Sequence, residues 1–91
     1  MIDESIKFYS QALTINPKFF EAQNNLGHAL REKGKILDSI KCLINLVKTN
    51  PTYPNAYYNL GESLRLINKD EEAEKCFINA IKINEKICSG L

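Results

Sequence analysis

Asn25 and Asn59 are the residues whose type and spacing best suit them to hold another molecule. An asparagine side chain offers one carbonyl and one amide, so it pairs with both halves of a peptide group whatever side chain that peptide carries. The two stand 34 residues apart. If that interval is one helix-packing step of about 10 Å, two such rungs meet an extended peptide at roughly every third residue, given about 3.3 Å per residue. Asn24, His28 and Arg31 lie beside the first rung, and Tyr58, Glu62 and Arg65 beside the second. Tyr58 and His28 add packing area, and Arg31 and Arg65 can hold an acidic group. Glu21, Glu32 and Glu62 offset the arginines, so no preference for acidic partners follows. Two rungs at about 0.5 to 1.5 kcal/mol per net hydrogen bond supply only a few kcal/mol. Micromolar affinity needs about 8 kcal/mol, so a peptide held by these groups alone binds weakly.

Catalysis has little to stand on. The chain has a single histidine, His28, and lacks a glycine-rich phosphate loop. Its three cysteines, Cys42, Cys76 and Cys88, offer no nucleophile-base pair. No catalytic residue, metal ligand set or cofactor is expected. Cys42 and Cys76 occupy matching places in a repeat, so about 10 Å should separate them, whereas a disulfide needs Cα atoms within about 7 Å. Free thiols acting as small apolar residues are expected. His28 falls on the opposite side from these cysteines, which argues against zinc. The net charge is +1, with acids and bases interleaved along every segment, so nucleic acid is not an expected partner. No apolar run approaches membrane-spanning length, and the opening MIDESIKFYS lacks the basic start and apolar core of a signal peptide. A cytoplasmic protein without membrane insertion is expected.

The elements that position these residues come from an internal repeat. NLGHALREKG, from Asn25 to Gly34, aligns without a gap on NLGESLRLIN, from Asn59 to Asn68. Downstream, Ser39 falls on Ala73, Cys42 on Cys76, Leu43 on Phe77 and Asn50 on Asn84. A period of this size marks stacked helical hairpins, because one hairpin cannot bury its apolar stripe without a neighbour. Periodicity and punctuation predict five helices: about Ile2 to Ile15, Lys18 to Lys33, Lys35 to Thr49, Pro54 to Asn68 and Lys69 to Asn84, followed by a tail from Glu85 to Leu91. Gly34 and Asn68 suit left-handed caps. Short connections make neighbouring helices antiparallel, so the fold class is all-α. A wheel at 100° per residue puts Ala22, Gln23, Leu26, Ala29 and Leu30 on the packing side of the second helix. Glu21, Asn24, Asn25, His28, Arg31 and Glu32 fall on the other. The fourth helix presents Asn55, Tyr58, Asn59, Glu62, Arg65 and Leu66 in the same way.

The chain resembles the tetratricopeptide repeat (TPR) family. Phe20 to Tyr53 matches through Leu26-Gly27, Leu30, Gly34, Ser39, Leu43 and Pro51, with Gln23 and Leu46 as departures. Pro54 to Ile87 matches through Tyr57, Leu60-Gly61, Leu64, Ala73, Phe77 and Ala80, with Glu85 in place of the closing proline. Ser5, Tyr9, Ala12 and Pro17 match the back half of a further copy. The resemblance implies a right-handed α-solenoid of about five helices. Its parts are the second helix of a truncated TPR (1–17), two TPRs (18–53 and 54–87) and a tail or the start of a next repeat (88–91). It also implies a concave groove for an extended or short helical peptide, lined by Asn24, Asn25, His28, Arg31, Tyr58, Asn59, Glu62 and Arg65. Asn25 and Asn59 are similar to the asparagine ladder in the superhelix of O-linked N-acetylglucosamine transferase. The carboxylate clamp of chaperone-binding members fits poorly, with only Asn24, His28 and Asn59 at its positions. The implied function is a protein-protein interaction scaffold with a protein or peptide partner. The alternatives are the substrate-presenting part of a larger enzyme such as a glycosyltransferase, and a self-associating structural module. Ile2, Ile6, Tyr9 and Leu13 at one end, and Ile81, Ile83, Ile87 and Leu91 at the other, lack obvious cover. A fragment of a longer array that associates through its ends is therefore expected.

Overall fold

The computed structural model describes residues 2–89, with side chains through residue 86. Five helices follow one another: α1 (Ile2–Ile15), α2 (Phe20–Glu32), α3 (Ile36–Thr49), α4 (Pro54–Leu66) and α5 (Asp70–Ser89). After α2, Gly34 takes φ +94°, the Lys35 amide donates to the Leu30 carbonyl at 2.8 Å and the Gly34 amide to that of Arg31 at 3.0 Å. These are the paired bonds of a Schellman cap. Asn68 repeats them after α4, with φ 63° and bonds from Lys69 to Leu64 at 2.9 Å and from Asn68 to Arg65 at 3.0 Å. Asn-Pro ends the other two helices. At the first, the Lys18 amide donates to the Asn16 side-chain oxygen at 3.2 Å. At the second, the Tyr53 amide turns back to the Asn50 carbonyl at 3.2 Å.

One boundary differs from expectation by more than the one or two residues by which other helix ends shift. Spacing ends the last helix at Asn84, but α5 runs on to Ser89. Glu85 stands where Pro51 follows α3, and a residue with an amide hydrogen and no ring continues a helix where proline breaks it. The expected tail is thus helical through residue 89.

Each helix packs on the next in the chain, and α2 also touches α4, whereas α1, α3 and α5 make no contact with one another among the described residues. A stack whose one row touches while the other spreads is curved, with α2 and α4 inside. The core lies where the repeats meet: Ile40, Leu43 and Leu46 of α3 pack with Ala56, Leu60 and Leu64 of α4 and Ala73 of α5.

The two hairpins close by the same device. A Cβ on Gly27 would stand 2.6 Å from Leu43 Cγ, and one on Gly61 would stand 2.7 Å from Phe77 Cε1. Small residues at these crossings let a large side chain of the second helix lie against backbone. Ser39 and Ala73 occupy equivalent places at the crossing, both buried. The Ser39 hydroxyl donates to the Gly27 carbonyl at 2.6 Å. Its single proton is then spent, so the Ser63 hydroxyl, 2.9 Å away, donates to Ser39.

The ends are less covered. No residue of α1 is fully buried. Ile2, Ile6, Tyr9 and Leu13 are at least partly exposed. Phe8 and Ile15 stand out further, at 66% and 86% exposure. At the other end Ile81 is exposed and Ile83 half-buried. The side chains of Ile87, Cys88 and Leu91 lie outside the described residues.

Candidate functional site

The inner row, α2 and α4, carries every residue singled out by the sequence. Asn25 and His28 are exposed on α2, with Arg31 half-buried. On α4, Tyr58 and Arg65 are exposed, with Asn59 and Glu62 half-buried. Asn24 departs from the helical wheel, which puts it on the open side: it is buried at 7% exposure. The wheel allows α2 a single packing stripe, but α2 has three neighbours, and Asn24 faces α4. Its Oδ1 accepts from the Asn59 amide at 2.8 Å, and its own amide donates to the Tyr53 hydroxyl at 3.4 Å. Asn25 and Asn59 are therefore not a matched pair of free amides. Asn59 commits one of its two amide hydrogens within the fold, while Asn25 has no hydrogen-bond partner among the described side chains.

A second set of bonds ties the same two helices. Arg31 Nη1 donates to the Asn59 carbonyl at 3.0 Å, and its Nη2 lies 2.8 Å from His28 Nδ1. Guanidinium only donates, so Nδ1 accepts, and the proton of the ring sits on Nε2, which faces Glu32. On α4, Arg65 Nη2 donates to Glu62 at 2.8 Å. That bond, with the carboxylate's charge, holds the Arg65 guanidinium above its ordinary value. His28, Glu32 and Arg65 are each about half-exposed and only Glu62 is more covered, so these contacts orient side chains more than they stabilise the fold. Each arginine sits beside a carboxylate or a histidine-carboxylate pair, which leaves a surface of alternating donors and acceptors with little net charge.

Asn25, His28 and Glu32 also face α1 across a cleft of about 330 Å³, with Ile2, Ser5 and Tyr9 opposite. A larger cleft of about 450 Å³ opens between α4 and α5, where Tyr58 and Glu62 meet Phe77, Ala80 and Ile81. Its walls are mostly apolar, and the Tyr58 ring leans on Phe77 with centroids 5.7 Å apart.

Tyr53 is the residue that sequence reasoning missed. Besides its bond to Asn24, its ring meets Phe20 edge-on at 5.0 Å, so it clasps the start of α2 to the start of α4. An aromatic stands just before each inner helix, Phe19 and Tyr53, which was the available signal.

Cys42 and Cys76 are packing groups, free and half-buried. Burial pushes both thiols up from their ordinary value, and Cys42 donates to the Gln23 carbonyl at 3.3 Å. Among the described residues no three of His, Cys, Asp and Glu converge as a metal site, and no helix is long and apolar enough to cross a membrane.

Family models for the tetratricopeptide repeat match residues 8–41 and 54–87, and one described as TPR repeat matches 27–66, so that together they span 8–87. Among solved structures, MamA MSR-1 C2 superimposes with a TM-score of 0.85 at 21% identity, over 93% of this chain and 49% of that one. A crystal structure of MamA gives 0.86 at 25% identity, over 98% and 54%. The chain thus spans about half the length of these structures. No curated protein matches it by sequence.

Proposed function

We propose that this chain, which belongs to the tetratricopeptide repeat family, holds a segment of a partner protein against the inner face formed by α2 and α4 and does no chemistry of its own. The observation that carries this reading is the row of open polar groups on two helices that touch side by side. Asn25, His28 and Arg31 continue into Glu62 and Arg65 along one face.

The bonds among these groups refine the mode of recognition. Asn25 is the free rung, able to pair with a ligand peptide group at both its oxygen and its nitrogen. Asn59 acts as a positioning residue: it fixes α4 against Asn24, and its carbonyl anchors Arg31. Arg65 and Glu62 offer one donor and one acceptor to polar side chains of the ligand. With Asn25 as the one wholly unpaired rung, hydrogen bonding supplies only a few kcal/mol. Affinity therefore depends on apolar contacts with Tyr58 and with Tyr9 across the α1 cleft.

A phage-displayed library of random dodecapeptides, panned against the chain, tests the reading. Peptides that are retained should lose affinity several-fold when Asn25→Ala or Arg65→Ala is introduced, with the helical signal unchanged. Peptides that bind both variants as well as the parent place the site elsewhere.

A further inference from the structure

The outer helices carry a repeated surface of their own. Residues 41–48, KCLINLVK, and residues 75–82, KCFINAIK, differ at three places: Leu43 becomes Phe77, Leu46 becomes Ala80 and Val47 becomes Ile81. In α3 all three of these lie in or against the core. Lys41, Ile44, Asn45 and Lys48 are exposed, as are Lys75, Ile78, Asn79 and Lys82, and these four are identical in the two copies. Spacings of three, four and seven residues set them on one helix face. Packing constrains a core, whereas exposed positions are usually close to neutral. Here the interior differs between the copies while the exposed face is the same. The inner helices show the ordinary pattern, with exposed His28 and Glu32 replaced by Glu62 and Leu66.

The exposure of this face does not depend on an end of the stack. With α2 and α4 both packed against α3, the four residues of α3 remain open. Charge is also sorted along it. Asp38, Glu71 and Glu72 stand in the first turns, where the helix dipole favours them, and the lysines follow. Glu74 and Glu85 fall about a quarter turn to the side on the wheel. Lys41, Lys48, Lys75 and Lys82 form no ion pair among the described residues. Lys86 adds a further cation: with Tyr57, Asn79 and Lys82 it borders a cleft of about 280 Å³. A carboxylate entering there meets the donors of an amide, a phenol and two ammonium groups.

We infer that the outer faces of α3 and α5 together form a docking surface for an acidic segment of a partner protein, which crosses both stripes. Its carboxylates meet the lysines, and its apolar side chains rest on Ile44 and Ile78. Charge complementarity selects an acidic occupant, and the centre of each stripe selects protein over lipid. Asn45 and Asn79 pair with peptide groups. Each stripe offers one isoleucine, 37% exposed in α3 and 42% in α5, which is too little apolar area to enter a bilayer. The surface is confined to two helices, because α1 keeps Lys7 but has Ser10, Gln11 and Thr14 at the other three places. It shares no residue with the inner face of α2 and α4.

The probes are a synthetic peptide of two Glu-Leu-Glu clusters joined by a Gly-Ser linker, and the same peptide with Gln for every Glu. Titrated into the isotope-labelled chain, the acidic peptide should shift amide signals of residues 41–48 and 75–82 along one binding curve. Its affinity should fall as salt is raised, because exposed charges are screened, and the Gln peptide should leave those signals in place. Lys48→Glu combined with Lys82→Glu should weaken the acidic peptide about ten-fold, with the melting temperature unchanged. Lys82→Glu alone should also weaken the response of residues 41–48, because a bridging segment engages both stripes together. Equal binding of the two peptides, an unchanged affinity in the double variant, or shifts confined to Asn25 and Arg65 overturn the proposal. So does pelleting of the chain with vesicles of equal phosphatidylcholine and phosphatidylserine without any response to the acidic peptide, which makes a lipid surface the occupant.

Discussion

The repeat that begins at Phe20 and the one that begins at Pro54 are closed by the same glycine crossing and surrounded differently. In the first, α2 lies between α1 and α3 and against α4, and Asn24 is buried. In the second, α4 lies between α3 and α5 and against α2, yet Tyr58 and Ile81 stand open. The asparagines show it most simply. Asn59 has α2 beside it and commits one amide hydrogen there; Asn25, at the matching position, has no inner-row helix before it and stays free. Position within a repeat therefore sets the direction of a side chain, while the neighbouring repeat sets whether that side chain is structural or available.

The shared part of the plan predicts the largest effects. Gly61→Leu and Gly27→Leu should each destabilise by about 1 to 3 kcal/mol or more through overpacking, while Glu62→Leu changes stability by under about 0.5 kcal/mol. Thermal melts followed by circular dichroism read the difference, and equal midpoints for Gly61→Leu and Glu62→Leu would break the common hairpin. Ser39→Ala comes next, since it strips the Ser63 hydroxyl of its acceptor in a buried site at a cost of about 1 to 3 kcal/mol. The converse change, Ala73→Ser, should be near neutral if its hydroxyl finds the Gly61 carbonyl as Ser39 finds that of Gly27. A large loss in Ala73→Ser would show that the two crossings differ in detail.

The asparagines sharpen the comparison at smaller scale. Asn59→Ala should cost about 1 kcal/mol in urea denaturation, because Asn24 loses its donor, whereas Asn25→Ala should stay within about 0.5 kcal/mol. The reverse ranking would contradict the bonding described. The thiols give the least effect on the fold. The reactive species is the thiolate, and burial raises Cys42 and Cys76. Alkylation at neutral pH, mapped by mass spectrometry, should therefore run slower at both than in the urea-unfolded chain. Their neutral form is favoured in the fold, so this contribution to stability is present below the ordinary thiol value of 9.0 and fades as pH rises beyond it. Stability that grew with pH above that value would contradict the assignment.

Much of this architecture is legible in the residues. Five helices follow from apolar periods bounded by Pro17, Gly34, Pro51 and Asn68, because each of these residues restricts or frees backbone angles in a known direction. Gly27 and Gly61 are legible as crossings because they recur with Leu43 and Phe77 at one spacing. The end of α5 was not, since Glu85 carries no stop signal and the period alone suggested one. Asn24 was misplaced because a wheel describes a helix with one partner face, and an inner helix of a stack has more. The role of Tyr53 depends on a ring and a hydroxyl reaching two residues of another helix; the aromatic before each inner helix marks its position but not those contacts.

The central claim is that the inner face of α2 and α4 receives the partner segment. Nuclear magnetic resonance mapping of a library-selected peptide on the labelled chain tests it most directly. Amide and side-chain signals of Asn25, His28 and Arg65 should move together with one affinity, while those of Phe8 and Ile15 on α1 stay fixed. Shifts that spare Asn25, His28 and Arg65 and gather on the outer helices would contradict it.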